Sequence, residues 1–313
     1  MKAVVACELG GPEVLEVQEV DRPELVQTEV LIRVAAVGLN PVDSKTRRYG
    51  GNPKAVGEPP FILGWDVAGV VEGIAERETR FAAGERVFGM PWFPRLARGY
   101  AEYVSSPARQ LARTPDALSN EQAAGLPLAG LTAWQSLVDL AGVEEEDRVL
   151  IHAAAGGVGH LAVQIAKARG AHVIGTARAA NHDFLRELGV DEPVDYTTTP
   201  WEQVLSEVDL VLDGVGGDDY GLRSLETLRE GGLLIVLPGG VTDAVAAAAR
   251  EQGKRAAGIQ VEPDYCALES LAALADEGKL TVAIEETFPL ARAAEAHERL
   301  EDGRSRGKIV LLP

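Results

Sequence analysis

Val149-Leu150-Ile151-His152-Ala153-Ala154-Ala155-Gly156-Gly157-Val158-Gly159-His160-Leu161-Ala162-Val163-Gln164-Ile165-Ala166-Lys167 is the stretch that decides the fold. A run of apolar residues from Val149 predicts a buried strand. It runs into a glycine-rich turn, and Gly157–Arg169 then reads as a helix with an apolar face. The spacing is G-x-G-x-x-G with Ala154 at the first position, followed by Gly156 and Gly159. Strand, turn and helix in this order are the context a dinucleotide fingerprint needs. Gly156 lets backbone approach a pyrophosphate, and Gly159 lets helix and strand pack closely. The helix N-terminus then offers free N–H groups and a partial positive charge to phosphate. His160, in the first turn, reads as a packing or surface residue.

Outward from this stretch the pattern alternates. Strands are expected at His172–Thr176, Pro193–Tyr196, Val208–Leu212, Leu233–Leu237 and Ala257–Val261. Helices are expected at Asn181–Leu188, near Trp201, at Tyr220–Leu228 and at Ala244–Gln252. This alternation predicts a doubly wound parallel sheet. Upstream, Ser119 and Gln122 are spaced as a capping box opening a helix, and Leu128–Leu140 reads as a longer one. Before Ser119 the chain is β-rich, with short β-branched runs at Val14–Val20, Glu29–Val37, Ala68–Ile74 and Glu85–Gly89. A small antiparallel barrel fits them. The tail from Pro263 carries helices at Leu268–Asp276 and Ala291–Glu301, with extended segments at Ala283–Phe288 and Lys308–Leu312, and is expected to return to the first domain.

Bulk composition narrows the function. The chain has 313 residues, 46% hydrophobic and 25% charged, with net charge −18. That length suits one large domain or two ordinary ones. So acidic a surface disfavours nucleic acid and anionic lipid, which are held by Lys and Arg. No apolar run approaches a membrane span, and a cytoplasmic enzyme is expected. The two cysteines, Cys7 and Cys266, cannot make a Cys₄ zinc site, there is no C-x-x-C, and both are expected to be buried thiols.

The second strand of the repeat ends Val173-Ile174-Gly175-Thr176-Ala177-Arg178. An NAD site usually carries a carboxylate there to hold the ribose 2′-hydroxyl. Here an arginine follows, which can pair with a 2′-phosphate. Thr176 can add a hydroxyl, and Tyr196 can close the same pocket. The expected cofactor is therefore NADP(H). The plainer alternatives, a solvated Arg178 and a packing Tyr196, stay open.

Several segments resemble the medium-chain dehydrogenase/reductase superfamily, in its zinc-free quinone oxidoreductase (zeta-crystallin-like) branch. They are Gly38-Leu39-Asn40-Pro41-Val42-Asp43, Gly64-Trp65-Asp66-Val67-Ala68-Gly69, Leu128–Ala133, Ala154–Gly159, Asp213-Gly214-Val215-Gly216-Gly217 and Arg306-Gly307-Lys308-Ile309-Val310. The likeness covers nearly the whole chain. It implies a Rossmann sheet, residues 123–262, inserted into a GroES-like β-barrel domain of residues 1–122 plus 263–313. It implies a homodimer joined sheet edge to sheet edge and a small-molecule substrate. Where zinc relatives carry Cys and His-Glu, this chain has Asn40 and Trp65-Asp66, so no metal is expected. Cofactor contacts are expected from Thr132, Ala155, Gly156, Gly157, Val158, Thr176, Arg178, Tyr196, Gly214, Val215, Leu237 and Gly239.

The reaction this implies is NADPH-dependent reduction of a quinone or an α,β-unsaturated carbonyl, because conjugation makes such acceptors electrophilic without a metal. Asn40 is the first candidate to polarise the acceptor. Lys45, a departure from the branch's usual tyrosine, is the second, and Tyr49 the third. Asp43 is expected to position its loop. Trp65 and Trp92 could wall a pocket or pack the core. Two rivals remain. One is an enoyl-thioester reductase, with Lys45, Arg47, Arg48 and Lys54 as a basic rim for the carrier. The other is a non-catalytic NADPH-binding protein.

Overall fold

The computed structural model describes residues 1–313 and resolves into two compact units, Met1–Leu131 with Glu262–Pro313, and Thr132–Val261. In chain order the first stretch holds β1 (Lys2–Ala6), β2 (Leu15–Glu19), β3 (Glu29–Gly38), α1 (Pro41–Tyr49), α2 (Pro53–Val56), β4 (Phe61–Ile62), β5 (Asp66–Ile74), β6 (Arg86–Gly89), β7 (Tyr103–Pro107), β8 (Leu111–Arg113), α3 (Asn120–Gly125) and α4 (Pro127–Trp134). Then follow β9 (Arg148–Ile151), α5 (Gly159–Ala168), β10 (His172–Ala177), α6 (His182–Glu187), β11 (Glu192–Asp195), α7 (Trp201–Val204), β12 (Val208–Asp213), α8 (Asp218–Thr227), β13 (Leu228–Val236), α9 (Asp243–Glu251) and β14 (Arg255–Gly258). The tail adds α10 (Tyr265–Asp276), β15 (Ile284–Pro289), α11 (Ala293–Glu301) and β16 (Lys308–Leu312).

The fold is mixed α/β, with a parallel Rossmann-type sheet and a GroES-like β-domain. In the larger unit a seven-stranded sheet runs β15-β16-β3-β5-β6-β8, with β7 also on β3, beside a three-stranded sheet β2-β1-β4. The C-terminal strand β16 pairs antiparallel with β3, placing Val310 opposite Gly38. The tail is therefore part of this unit's core rather than an appendage. Gly38 also lies opposite Asp66 of β5, so three chain segments far apart in sequence meet at one strand end. The Ser119 capping box forms, with Gln122 N donating to Ser119 Oγ at 3.2 Å.

The middle unit is a six-stranded parallel sheet of order β11-β10-β9-β12-β13-β14. The inner stretches of its central strands, Val149–Ile151, Leu210–Leu212 and Leu233–Val236, are apolar and buried, as in a parallel sheet covered on its faces. Leu150, Ile174, Val211, Leu234, Trp201 and Leu225 form a continuous buried cluster. The expected long helix at Leu128–Leu140 instead splits into α4 and a π-helical segment, Gln135–Leu140. No helix is long and apolar enough to cross a membrane.

Two expectations are corrected. Cys266 is exposed and Cys7 only half-buried, its thiol 3.4 Å from Glu16 Oε2. Arg47 belongs to no surface rim. It is fully buried, donating from Nε to Gly10 O (3.1 Å), from Nη1 to His297 Nδ1 (2.9 Å) and from Nη2 to Glu301 Oε1 (2.5 Å). A buried guanidinium is tolerated only when paired and hydrogen-bonded, and α11 supplies the pairing that holds α1. Since Nδ1 of His297 must accept from arginine, its Nε2 carries the proton and donates to Tyr100 Oη, 3.0 Å away.

Candidate functional site

In the parallel sheet the strand order reverses between β9 and β12. In such sheets ligands bind outside the carboxyl ends of the strands at this switch point. The turn after β9 lies there. Gly156 N closes it by donating to Ala153 O at 2.9 Å, while the N–H groups of Gly157 and Val158 have no partner within the chain. Those donors, ahead of the N-terminus of α5, suit a phosphate. Gly159 shows why the motif needs glycine. A Cβ there would sit 2.2 Å from Ala153 O and 2.7 Å from Ala154 Cα, both backbone, so any side chain would prise α5 from the strand.

Neighbouring strand ends carry the other nucleotide candidates. Arg178 follows β10 and Tyr196 follows β11, and Arg178 Nε donates to Tyr196 Oη at 3.2 Å, both side chains reaching solvent. Thr176 is sealed within the unit. Its Oγ1 lies 3.0 Å from His152 Nδ1, and His152 Nε2 lies 3.0 Å from Ser224 Oγ. Burial, with Arg223 adding to it, holds the His152 imidazole down at about 3, so this bridge is neutral. After β12, the Val215 and Gly216 N–H groups donate to Asp213 Oδ1 at 2.8 and 3.0 Å, which shapes the turn holding Gly214 and Val215. Leu237 N donates to Asp213 O at 3.0 Å, setting the loop after β13 that includes Gly239. Ala155 is buried in the glycine turn, and Thr132 is buried on α4 as the first residue of this unit.

The catalytic candidates lie in the other unit on one helix. Asn40 is the N-cap of α1, Pro41 its first residue, and Gly50 ends it at φ 83°. Its backbone N–H donates to Asp43 Oδ2 at 2.8 Å, and Gly64 N–H donates to Asp43 Oδ1 at 3.1 Å. Asp43 therefore positions its loop. The Asn40 side chain is 2% exposed. Its Nδ2 donates to Asp66 Oδ2 at 2.8 Å, and its Oδ1 accepts from Lys308 Nζ at 2.5 Å. Lys308 Nζ also donates to Leu39 O at 2.8 Å. Asp66 Oδ1 accepts from Leu128 N at 2.8 Å.

Desolvation lifts Asp43 to about 7 and Asp66 to about 6, against the hydrogen bonds and the Lys308 charge that pull them down. Burial likewise lowers Lys308, against the two carboxylates. Lys45 and Tyr49 sit apart from this network on the exposed face of α1, Tyr49 72% exposed. The sequence motifs contained Asp66 and Lys308, yet neither was read as a partner of Asn40.

No group of three or more His, Cys, Asp or Glu side chains is arranged to hold a metal ion. Around Asn40 the donor set is one amide, two carboxylates and an ammonium, which does not suit zinc. Trp65 is buried, edge-on to Phe93 at 5.7 Å, with Nε1 donating to Arg95 O at 2.6 Å, so it packs rather than lines a cavity. Trp92 is half-buried.

Comparison with known proteins adds two family models. "Alcohol dehydrogenase GroES-like domain" matches residues 26–116, and "Zinc-binding dehydrogenase" matches residues 188–311. The chain is 33% identical to the NADPH-dependent alkenal/one oxidoreductase of Arabidopsis thaliana, over 100% of this chain and 80% of that one. Its fold superposes on the quinone oxidoreductase of Coxiella burnetii with TM-score 0.93 and 38% identity, covering 100% of this chain and 99% of that one. A mycobacterial protein, Rv1454c, solved with NADPH, gives TM-score 0.88 and 31% identity over 100% of both chains.

Proposed function

This chain belongs to the zinc-free quinone oxidoreductase branch of the medium-chain dehydrogenase/reductase superfamily, and from that premise we propose that it reduces a quinone or an α,β-unsaturated carbonyl with NADPH. Bound NADPH would supply the hydride. The chain's own part is to hold the nucleotide and to donate a hydrogen bond to the acceptor oxygen as charge develops on it.

The observation that carries this reading is the Asn40 amide, held by a carboxylate and an ammonium where zinc relatives need metal ligands. A neutral N–H donor polarises a carbonyl far less than a metal ion, so an acceptor already activated by conjugation is the substrate that suits it. Arg178 and Tyr196 would take the 2′-phosphate. The Gly157 and Val158 N–H groups would take the pyrophosphate. The hydroxyl of Thr176 is buried against His152, so this reading gives it no part in that clamp. Alanine and glycine backbone at Ala155 and Gly156 would admit the nucleotide, and Gly214, Val215, Leu237, Gly239 and Thr132 would complete its walls.

The test follows NADPH oxidation with menadione, crotonaldehyde, acetone and crotonyl-CoA, each with and without EDTA. Turnover of menadione or crotonaldehyde, unaffected by EDTA and better with NADPH than NADH, is expected. Turnover confined to acetone and abolished by EDTA would refute the assignment. A second reading, enoyl-thioester reduction, is favoured by Lys45, Arg48 and Lys54, all exposed and none in an ion pair. It predicts that crotonyl-CoA outperforms crotonaldehyde. We further propose a homodimer joined along β14, whose outer edge pairs with no strand. Sedimentation is expected to give twice the 33.2 kDa chain mass; a monomer would exclude it.

A further inference from the structure

The Gly307-Lys308-Ile309-Val310 segment belongs to a different unit from the glycine-rich turn, and it reaches the Asn40 amide. Lys308 is the first residue of β16, and Gly307 before it has φ 77°, with Ala283 O only 2.2 Å from where a Cβ would stand. That turn needs glycine, and it delivers the lysine inward, where the residue is 3% exposed.

An asparagine amide presents nearly equal ends, so packing alone does not choose between its two orientations. Here the neighbours choose. The Lys308 ammonium has donors only and meets Oδ1 at 2.5 Å. The Asp66 carboxylate accepts and meets Nδ2 at 2.8 Å. Rotating the amide by half a turn would set N–H against N–H and oxygen against oxygen, losing both bonds. Lys308 Nζ also lies 3.8 Å from Asp66 Oδ2, so the two charges steady each other. With one Nδ2 hydrogen on Asp66, the second is the N–H left to serve an acceptor.

We propose that Lys308 is a positioning residue that, with Asp66, locks the Asn40 amide so that it faces the acceptor as a donor. The inference rests on the donor role given to Asn40 above. It makes Lys308 matter to turnover without touching substrate.

The experiment is a double-mutant cycle on kcat with menadione and crotonaldehyde, using Asn40→Ala, Lys308→Met and the combined variant. Lys308→Met is expected to lower kcat about 10–100-fold while the KM for NADPH stays within about twofold. In the Asn40→Ala background Lys308→Met should change kcat no further, because the group it positions is gone. Removing one buried charge can unfold a domain, so Asp66→Asn/Lys308→Met, which removes both, serves as the second folded comparison. Multiplicative losses in the cycle would show a general structural role and overturn the proposal. So would a wild-type kcat in either Lys308 variant while Asn40→Ala loses turnover, and that result would leave the reductase reading standing. An unchanged kcat in Asn40→Ala would instead remove the donor role itself.

Discussion

Asn40→Ala is expected to lower kcat about 10²–10³-fold and to leave the KM for NADPH within about twofold. The amide is held at both ends, Nδ2 donating to Asp66 Oδ2 at 2.8 Å and Oδ1 accepting from Lys308 Nζ at 2.5 Å, so the remaining N–H needs no reorganisation when charge builds on the acceptor oxygen. That is the property that makes one donor worth about 3–4 kcal/mol in a transition state. The residues proposed to hold the nucleotide belong to another unit, which is why its KM should hold. The same change strips a partner from both Asp66 and Lys308. Each buried polar group left unpaired costs about 1–3 kcal/mol, and thermal unfolding should show a lower midpoint. Kinetics measured well below that midpoint separate the two effects. If turnover is unchanged, Asn40 is only the cap of α1.

The second large effect is on cofactor choice. Arg178→Ala should raise the KM for NADPH about 10–100-fold and spare NADH. A charge-assisted bond to phosphate contributes about 1.5–3 kcal/mol, and each 1.4 kcal/mol is tenfold. Arg178 already lies 3.2 Å from Tyr196 Oη, so its planar fork is partly ordered before phosphate arrives. Because the pair is exposed, the effect should shrink as salt rises. Equal losses with NADPH and NADH would mean that the arginine contacts something common to both, and the 2′-phosphate assignment would fall.

Short-range pattern accounts for what could be read in advance. β9, the glycine turn and α5 declare themselves within 20 or so residues through apolar period and glycine spacing, and the observed elements begin and end within a few residues of expectation. The strand end carrying Arg178 was readable for the same reason. Helix α1 was harder. Its segment was noticed as a motif, yet Asn40-Pro41, Asp43 and Gly50 together form a start and stop signal that went unused among so many strands. Arg47 misled because an arginine in a basic run reads as surface. Only Gly10, His297 and Glu301, brought from both chain ends, make its burial tolerable.

By itself the amino-acid sequence determined the alternation of strands and helices, the dinucleotide turn, the arginine in place of a carboxylate and the family, because each is encoded by residues close together in the chain. Tertiary structure alone decided what the separate motifs do to one another. Asn40, Asp66 and Lys308 are spread across 268 positions, and only the pairing of β3 with β5 and β16 brings an amide, a carboxylate and an ammonium within hydrogen-bond reach. Thr176 shows the same limit in reverse. Its hydroxyl stood at the right place in sequence for a phosphate, but packing gave it to His152, since a buried hydroxyl takes the partner that the fold puts nearest.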